Sequence, residues 1–220
     1  MRSEQFWTWF NAAAARLALR EISFRKIFEH LDALDAPITI VETGCVRTVD
    51  NWEGDGQSTI LFDRYVRHGG QGSIVHSVDL DAQATAICRT QVSDRVTVHT
   101  ADSVALLRHL AAQLRKENRR LDLLYLDSYD LNWHDPTPSA VHVLKEFLSI
   151  GPAVNGNTLV VVDDCALQVI AVADAANGLR QLAQPKVGGK GKYLAEYATQ
   201  IQARIRFLHY QAGWTGMGPL

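Results

Sequence analysis

The chain has 220 residues, with 22 Lys plus Arg against 24 Asp plus Glu, a formal net charge of −2, and 47% hydrophobic and 21% charged residues. That is a globular composition at about the size of one domain, which excludes disordered, collagen-like and coiled-coil classes. The near-neutral balance removes the electrostatic basis for sequence-independent binding to nucleic acid, so no such partner is expected. Three cysteines, Cys45, Cys88 and Cys165, are too few for a disulfide framework and form no C-x-x-C pair. The apolar stretch 6–19 is broken by Asn11 and Arg16, unlike a signal peptide, and no apolar run reaches the roughly 20 residues that cross a bilayer. A cytoplasmic protein with no membrane partner is the expectation.

Apolar residues at helical spacing (Phe6, Phe10, Ala13, Leu17, then Ile22, Ile27, Leu31) predict two helices before Pro37. Residues 1–36 read as an N-terminal helical extension of a domain over 37–220. From there short β-branched runs at 38–42, 73–79, 96–99, 121–127 and 158–163 alternate with helix candidates at 57–68, 81–91, 103–117, 138–150 and 190–202, and 205–210 reads as a sixth strand. Parallel neighbours need crossovers, so this alternation predicts an α/β fold. It is Rossmann-like, a mostly parallel sheet with helices on both faces, preceded by the N-terminal helices. The fourth and fifth runs are almost wholly apolar until they end in acid, as strands buried on both faces do.

In open α/β sheets ligands bind outside the carboxyl ends of the strands, near the point where strand order reverses. At those ends stand Glu42, Asp79, Asp102, Asp127 and the pair Asp163-Asp164. A single Asp there often caps the next helix, the alternative for Asp102 or Asp81 alone. Converging like charges destabilise each other unless a cation or hydrogen-bonding ligand joins them, so the shared rim reads as a ligand site. After the first run comes Gly44-Cys45-Val46-Arg47, then Gly54-Asp55-Gly56-Gln57-Ser58-Thr59, with neither G-x-G-x-x-G nor a phosphate loop. Acids beside the glycines disfavour a pyrophosphate and suit a cofactor rich in hydroxyl and amino groups with a positive centre.

The order Glu42-Thr-Gly, Asp79, Asp102-Ser, Asp127 resembles the class I S-adenosylmethionine-dependent methyltransferases over about residues 38–164. The resemblance implies that Gly44 faces the methionine part of S-adenosyl-L-methionine, Asp79 the ribose hydroxyls and Asp102 the adenine amino group. Glu42, Cys45, Gly56, Ser58, Thr59, Ser103 and Asp127 would line the same end. The first glycine motif departs from the family, being split by the insertion 46–53. Asp127 with Asp163-Asp164 further resembles the metal-dependent small-molecule O-methyltransferases. This implies a Mg2+ ion held by Asp127, Asp163 and Asp164, with Asp127 and Asp163 catalytic through it. Oxygen ligands from adjacent strand ends suit a hard cation; the alternative is that the pair caps a helix or meets an Arg or Lys.

The polar, aromatic loop 128–136 resembles a substrate-side loop, with His134 a candidate for proton removal or for a further metal ligand and His142, inside the next helix, a weaker one. Lys186, Lys190 and Lys192 in a Gly-rich stretch read as solvated, and Trp7, Trp9 and Phe10 as the apolar face of a helix, with a cofactor lid or a homodimer contact as alternatives. The expected function is methyl transfer to a small-molecule acceptor, by Mg2+-dependent O-methylation. The alternatives are an NAD-type dinucleotide-binding oxidoreductase and a cofactor-binding protein without catalysis.

Overall fold

The structure, a computed structural model, describes residues 4–54, 57–169, 171–174, 178–181, 183 and 185–218. Its centre is a seven-stranded sheet. Strands β1 (Thr39–Thr43), β2 (Ile74–Asp79), β3 (Val96–Thr100), β4 (Leu123–Leu126) and β5 (Leu159–Val162) run parallel in the order β3-β2-β1-β4-β5. Each crossover carries a helix: α3 (Ser58–His68), α4 (Ala82–Gln91), α5 (Ser103–Lys116) and α6 (Thr137–Ile150). The alternation expected from sequence is therefore present, with boundaries within a few residues.

The far edge departs from the expectation. Two short pairs follow β5: β6 (Leu167–Gln168) with β9 (Lys186–Val187), and β7 (Ala171–Asp174) with β8 (Gly178–Gln181). After α7 (Lys192–Gln200), the expected last strand appears as β10 (Arg204–Leu208), but it does not join β5. A strand missed in the sequence, β11 (Ala212–Thr215), lies between them, antiparallel to both. It is four residues long and contains Gly213, whose absent side chain makes room for the Phe207 ring. A run so short and poor in β-branched residues gives no period-2 signal.

Strands β4 and β5 are buried throughout, as their unbroken apolar runs require. On α5, Leu107, Leu110, Ala111 and Leu114 fall on one face and pack with β4, β5 and α6 in one of two cores. The other core receives the N-terminal segments α1 (Glu4–Ala13), a tight 3₁₀ stretch (Ala14–Arg20) and α2 (Glu21–Asp32). Phe6, Phe10, Phe24 and Phe28 are fully buried against Phe62, Tyr65 and Tyr125, each contributing about 1.5–3 kcal/mol of burial. The aromatic cluster is thus core, and it fixes the helices to the sheet. Ala18 turns the 3₁₀ stretch with φ 48° and ψ −116°, an arrangement non-glycine residues avoid, and two residues later Arg20 is buried at the end of β5.

Candidate functional site

The chain moves outward from β1 to β3 on one side and from β4 to β5 on the other, so the strand order reverses between β1 and β4. A cavity of about 370 Å³ opens there, at the carboxyl ends of the strands. Gly44 makes the turn out of β1 with φ +80°, and a Cβ on it would stand 2.9 Å from the Asp127 carbonyl, so only glycine lets the two strand ends approach. Asp79 closes this turn: its Oδ2 accepts the Cys45 N–H at 3.3 Å and its Oδ1 the Asp81 N–H at 2.9 Å. Gly44, Cys45, Ser58, Asp79, Asp102, Ser103 and Asp127 all line the cavity, as expected for them. Asp102 and Asp81 also cap α5 and α4, so capping and cavity lining coincide at Asp102.

The carboxylates at β4 and β5 converge as expected, but the chain supplies their cations. Lys190 Nζ lies 2.7 Å from Asp127 Oδ1 and 2.9 Å from Asp164 Oδ2. Arg20 Nε donates to Asp163 Oδ2 at 2.8 Å and to Oδ1 at 3.2 Å, and its Nη2 reaches Asp164 Oδ1 at 3.4 Å. Tyr125 Oη and Gln211 Nε2 complete Asp163, while Tyr210 Oη donates to Asp164. Asp163 is fully buried and does not line the cavity.

The donor set for Mg2+ expected at Asp127, Asp163 and Asp164 does not fit. A divalent ion would need oxygens that an ammonium and a guanidinium already hold, and among the described residues no group of three or more His, Cys, Asp or Glu is arranged to take a metal ion. The catalytic role expected of Asp163 goes with it. The alternative of pairing with Arg and Lys is the one realised, and Lys190, expected to be solvated, is 2% exposed.

The sequence model of the family described as "Methyltransferase domain" matches residues 53–165, more than half of the chain. The chain belongs to the methyltransferase-domain family. Its resemblance to the class I S-adenosylmethionine-dependent methyltransferases stands at the level of family and fold. No curated protein matches it. Among solved structures, a DhpI-SAH complex is 15% identical with a TM-score of 0.48, the match covering 97% of this chain and 95% of that one. An S-adenosylmethionine-dependent methyltransferase from Clostridium acetobutylicum ATCC 824 is 10% identical with a TM-score of 0.46, covering 96% and 99%. A short chain dehydrogenase/reductase from Saccharomyces cerevisiae is 15% identical with a TM-score of 0.35; the match covers 53% of this chain, which spans 50% of that protein's length. Among the described residues, no helix of the methyltransferase is long and apolar enough to cross a membrane.

Two expected cofactor residues of the methyltransferase stand behind the cavity wall rather than in it. Glu42 is fully buried, with Oε2 accepting Thr59 Oγ1 at 2.7 Å and Ser77 Oγ at 2.6 Å, and Thr59 in turn accepts the Val46 N–H. They brace the turn from below. Gly56 lies outside the described residues. Burial pushes the Glu42 carboxyl up to about 7, against the pull of the Ser58, Ser77 and Thr59 hydroxyls. Between the ordinary glutamate value of 4.5 and about 7 the folded state keeps a proton that the unfolded chain has released, so this group makes stability fall as pH rises through that window. Glu42→Gln is therefore expected to gain stability relative to the parent above pH 7 and to lose that gain below pH 4.5. Thermal unfolding of both proteins across the window checks it; a pH-independent difference would contradict the assignment.

The histidines exchange places. His134 is exposed, outside the cavity, its backbone N–H bonded to Asn132. His142 lines the cavity, with Nε2 3.1 Å from Ser103 Oγ and 3.3 Å from Glu146 Oε1, and its hydrogen bond to Glu146 raises its pKa. Buried Glu146 also accepts Thr43 Oγ1 and Ser128 Oγ, joining the end of β1 to the loop after β4. His142 reaches the cavity because α6 runs beside α5, whose first residue is Ser103, and the sequence pattern carries no signal of that packing.

Proposed function

We propose that the methyltransferase transfers a methyl group from S-adenosyl-L-methionine to a hydroxyl of a small molecule bound beside Asp127. The observation that carries this is the pair Asp79 and Asp102 on the cavity wall at the strand switch point, accepting only backbone N–H groups among the described residues. Each of these carboxylate oxygens has a further lone pair, which suits ribose hydroxyls and an adenine amino group. The cavity also carries Asp79, Asp102, Asp127, Asp130 and Asp164 against Arg20, Arg47 and Lys190, an excess of negative charge that favours a sulfonium over a pyrophosphate.

In this reading Asp79 and Asp102 hold the nucleoside, and Gly44, Cys45 and Ser58 the methionine part. The bound cofactor supplies an electrophilic methyl group, so alignment is the chief demand on the protein. Asp127 Oδ1 is fixed by Lys190, which leaves Oδ2 to accept the acceptor's proton. Burial pushes the Asp127 carboxyl up, opposed by Lys190 and reinforced by Asp163 and Asp164, which makes it a stronger base than a surface carboxylate. The rings of Tyr129 and His142, 5.4 Å apart, offer a wall against which an acceptor can lie. No step passes through magnesium, because Lys190 and Arg20 hold its oxygens.

The test is thermal unfolding with S-adenosylhomocysteine and, separately, with NAD. At about 100 times its dissociation constant the first ligand should stabilise by about 2.7 kcal/mol, about 5–11 °C at this size, and NAD should do nothing. A shift with NAD alone would favour the oxidoreductase alternative. Transfer of labelled methyl to a panel of small hydroxylated molecules then finds the acceptor, and no transfer to any oxygen acceptor would contradict the proposed chemistry.

A further inference from the structure

We propose that Lys190 is the built-in cation of the acceptor site, occupying the position between the β4 and β5 carboxylates that a divalent metal would otherwise take, so that the site neither needs nor binds a metal ion. This rests on the proposed methyl transfer only for naming the acceptor side; the occupancy itself is geometric. An ammonium has three donors. Those of Lys190 meet three oxygens: Asp127 Oδ1 at 2.7 Å, Asp164 Oδ2 at 2.9 Å and the Asp127 carbonyl at 3.2 Å. Arg20 takes both oxygens of Asp163 and one of Asp164. Two fixed positive charges thus face three carboxylates, leaving one negative charge, and among the described residues the oxygen without a donor is Asp127 Oδ2.

The fold is built to deliver this lysine. β9 pairs with β6, and the chain then turns at Gly189, where φ is +56° and a Cβ would fall 1.9 Å from the Asp164 carbonyl oxygen. The Lys190 N–H donates to that same carbonyl at 3.2 Å, and at Gly191 a Cβ would strike Cys165 Sγ at 2.4 Å. Backbone contacts on both sides of Lys190 therefore seat it against β5, and its side chain is 3% exposed. A divalent cation bound at the usual 2.0–2.6 Å from these oxygens would stand beside an ammonium on the same atoms, a like-charge contact that excludes one or the other. Lys190 acts as a positioning residue: it holds Asp127 Oδ1 so that Oδ2 faces the acceptor.

The experiment is a titration of the protein with Mn2+ alone, read from the electron paramagnetic resonance signal of the free ion. The parent protein should bind no Mn2+ at the strand ends, and Lys190→Ala, which uncovers Asp127 and Asp164, should gain one Mn2+ site with a dissociation constant of about 10⁻⁴–10⁻³ M. Adding Asp127→Asn to that variant should abolish the gained site. A merely structural lysine would not yield a metal site on removal. Mn2+ binding by the parent that Asp127→Asn abolishes would overturn the proposal, as would a folded Lys190→Ala variant, checked by near-ultraviolet circular dichroism, that binds none. Should Lys190→Ala fail to fold, Lys190→Met, which keeps an unbranched stem, takes its place, and the parent's titration decides if neither folds. Failure of the parent to bind S-adenosylhomocysteine would strike the proposed function and leave this comparison untouched.

Discussion

Arg20→Ala is expected to lower the midpoint of thermal unfolding by about 6–20 °C. Arg20 is 7% exposed and grips Asp163, which is fully buried, through both carboxylate oxygens. Removing the guanidinium leaves that charge, among the described residues, with only Tyr125, Gln211 and the Asp164 N–H as donors. Breaking a buried pair from one side costs about 3–5 kcal/mol, and each kcal/mol moves the midpoint by about 2–4 °C in a chain of this size. The double variant Arg20→Ala with Asp163→Asn should recover a large part of the loss, because the stranded charge goes too. Calorimetry on the three proteins decides. A single variant within about 2 °C of the parent would mean that the N-terminal segment does not close the end of β5.

Gly189→Ala is expected to cut methyl transfer by about 10²-fold, the scale of an ångström-sized misplacement in a reacting constellation, while the sheet stays intact. At φ +56° any Cβ is strained, and here it would also meet the Asp164 carbonyl at 1.9 Å, so the turn must open and carry Lys190 away from Asp127. Gly178→Ala is the control: its φ is +77°, but among the described residues nothing lies within 4 Å of an added Cβ. It should suffer only the left-handed strain of about 1–2 kcal/mol and keep its turnover. Steady-state rates on the acceptor found in the labelling panel, with circular dichroism to show folding, separate the two. Equal rates for both variants would remove the Gly189 turn from the mechanism.

Much of the site could be read from the sequence because its walls are strand ends. A strand run with an acid at its end or just beyond it marks both the strand and the rim, and Asp79, Asp102 and Asp127 do fall together on the cavity. The partners of the acids carry no such mark. Arg20 is 143 residues from Asp163, and Lys190 is 63 residues from Asp127, so neither pair leaves a local pattern. Three converging carboxylates without visible cations read naturally as a metal site, although the chain held both cations. Lys190 was further hidden by its glycines: flexibility in sequence became close packing in the fold, with Gly189 and Gly191 serving backbone contact. His142 and His134 changed rank for a related reason. Which one reaches the cavity depends on how α6 packs beside α5, and no single-element periodicity contains that. Strand β11 escaped because its four residues are buried by their neighbours rather than by any alternation of their own.

The most direct measurement is a calorimetric titration of the parent protein and Asp79→Ala with S-adenosylhomocysteine, in the presence of a chelator. One saturable site per chain is predicted for the parent. At least about tenfold weaker binding is predicted for the variant, the effect of losing hydrogen bonds to a charged acceptor. No binding by the parent, or equal affinity in the two proteins, would contradict the placement of the cofactor at the end of β2.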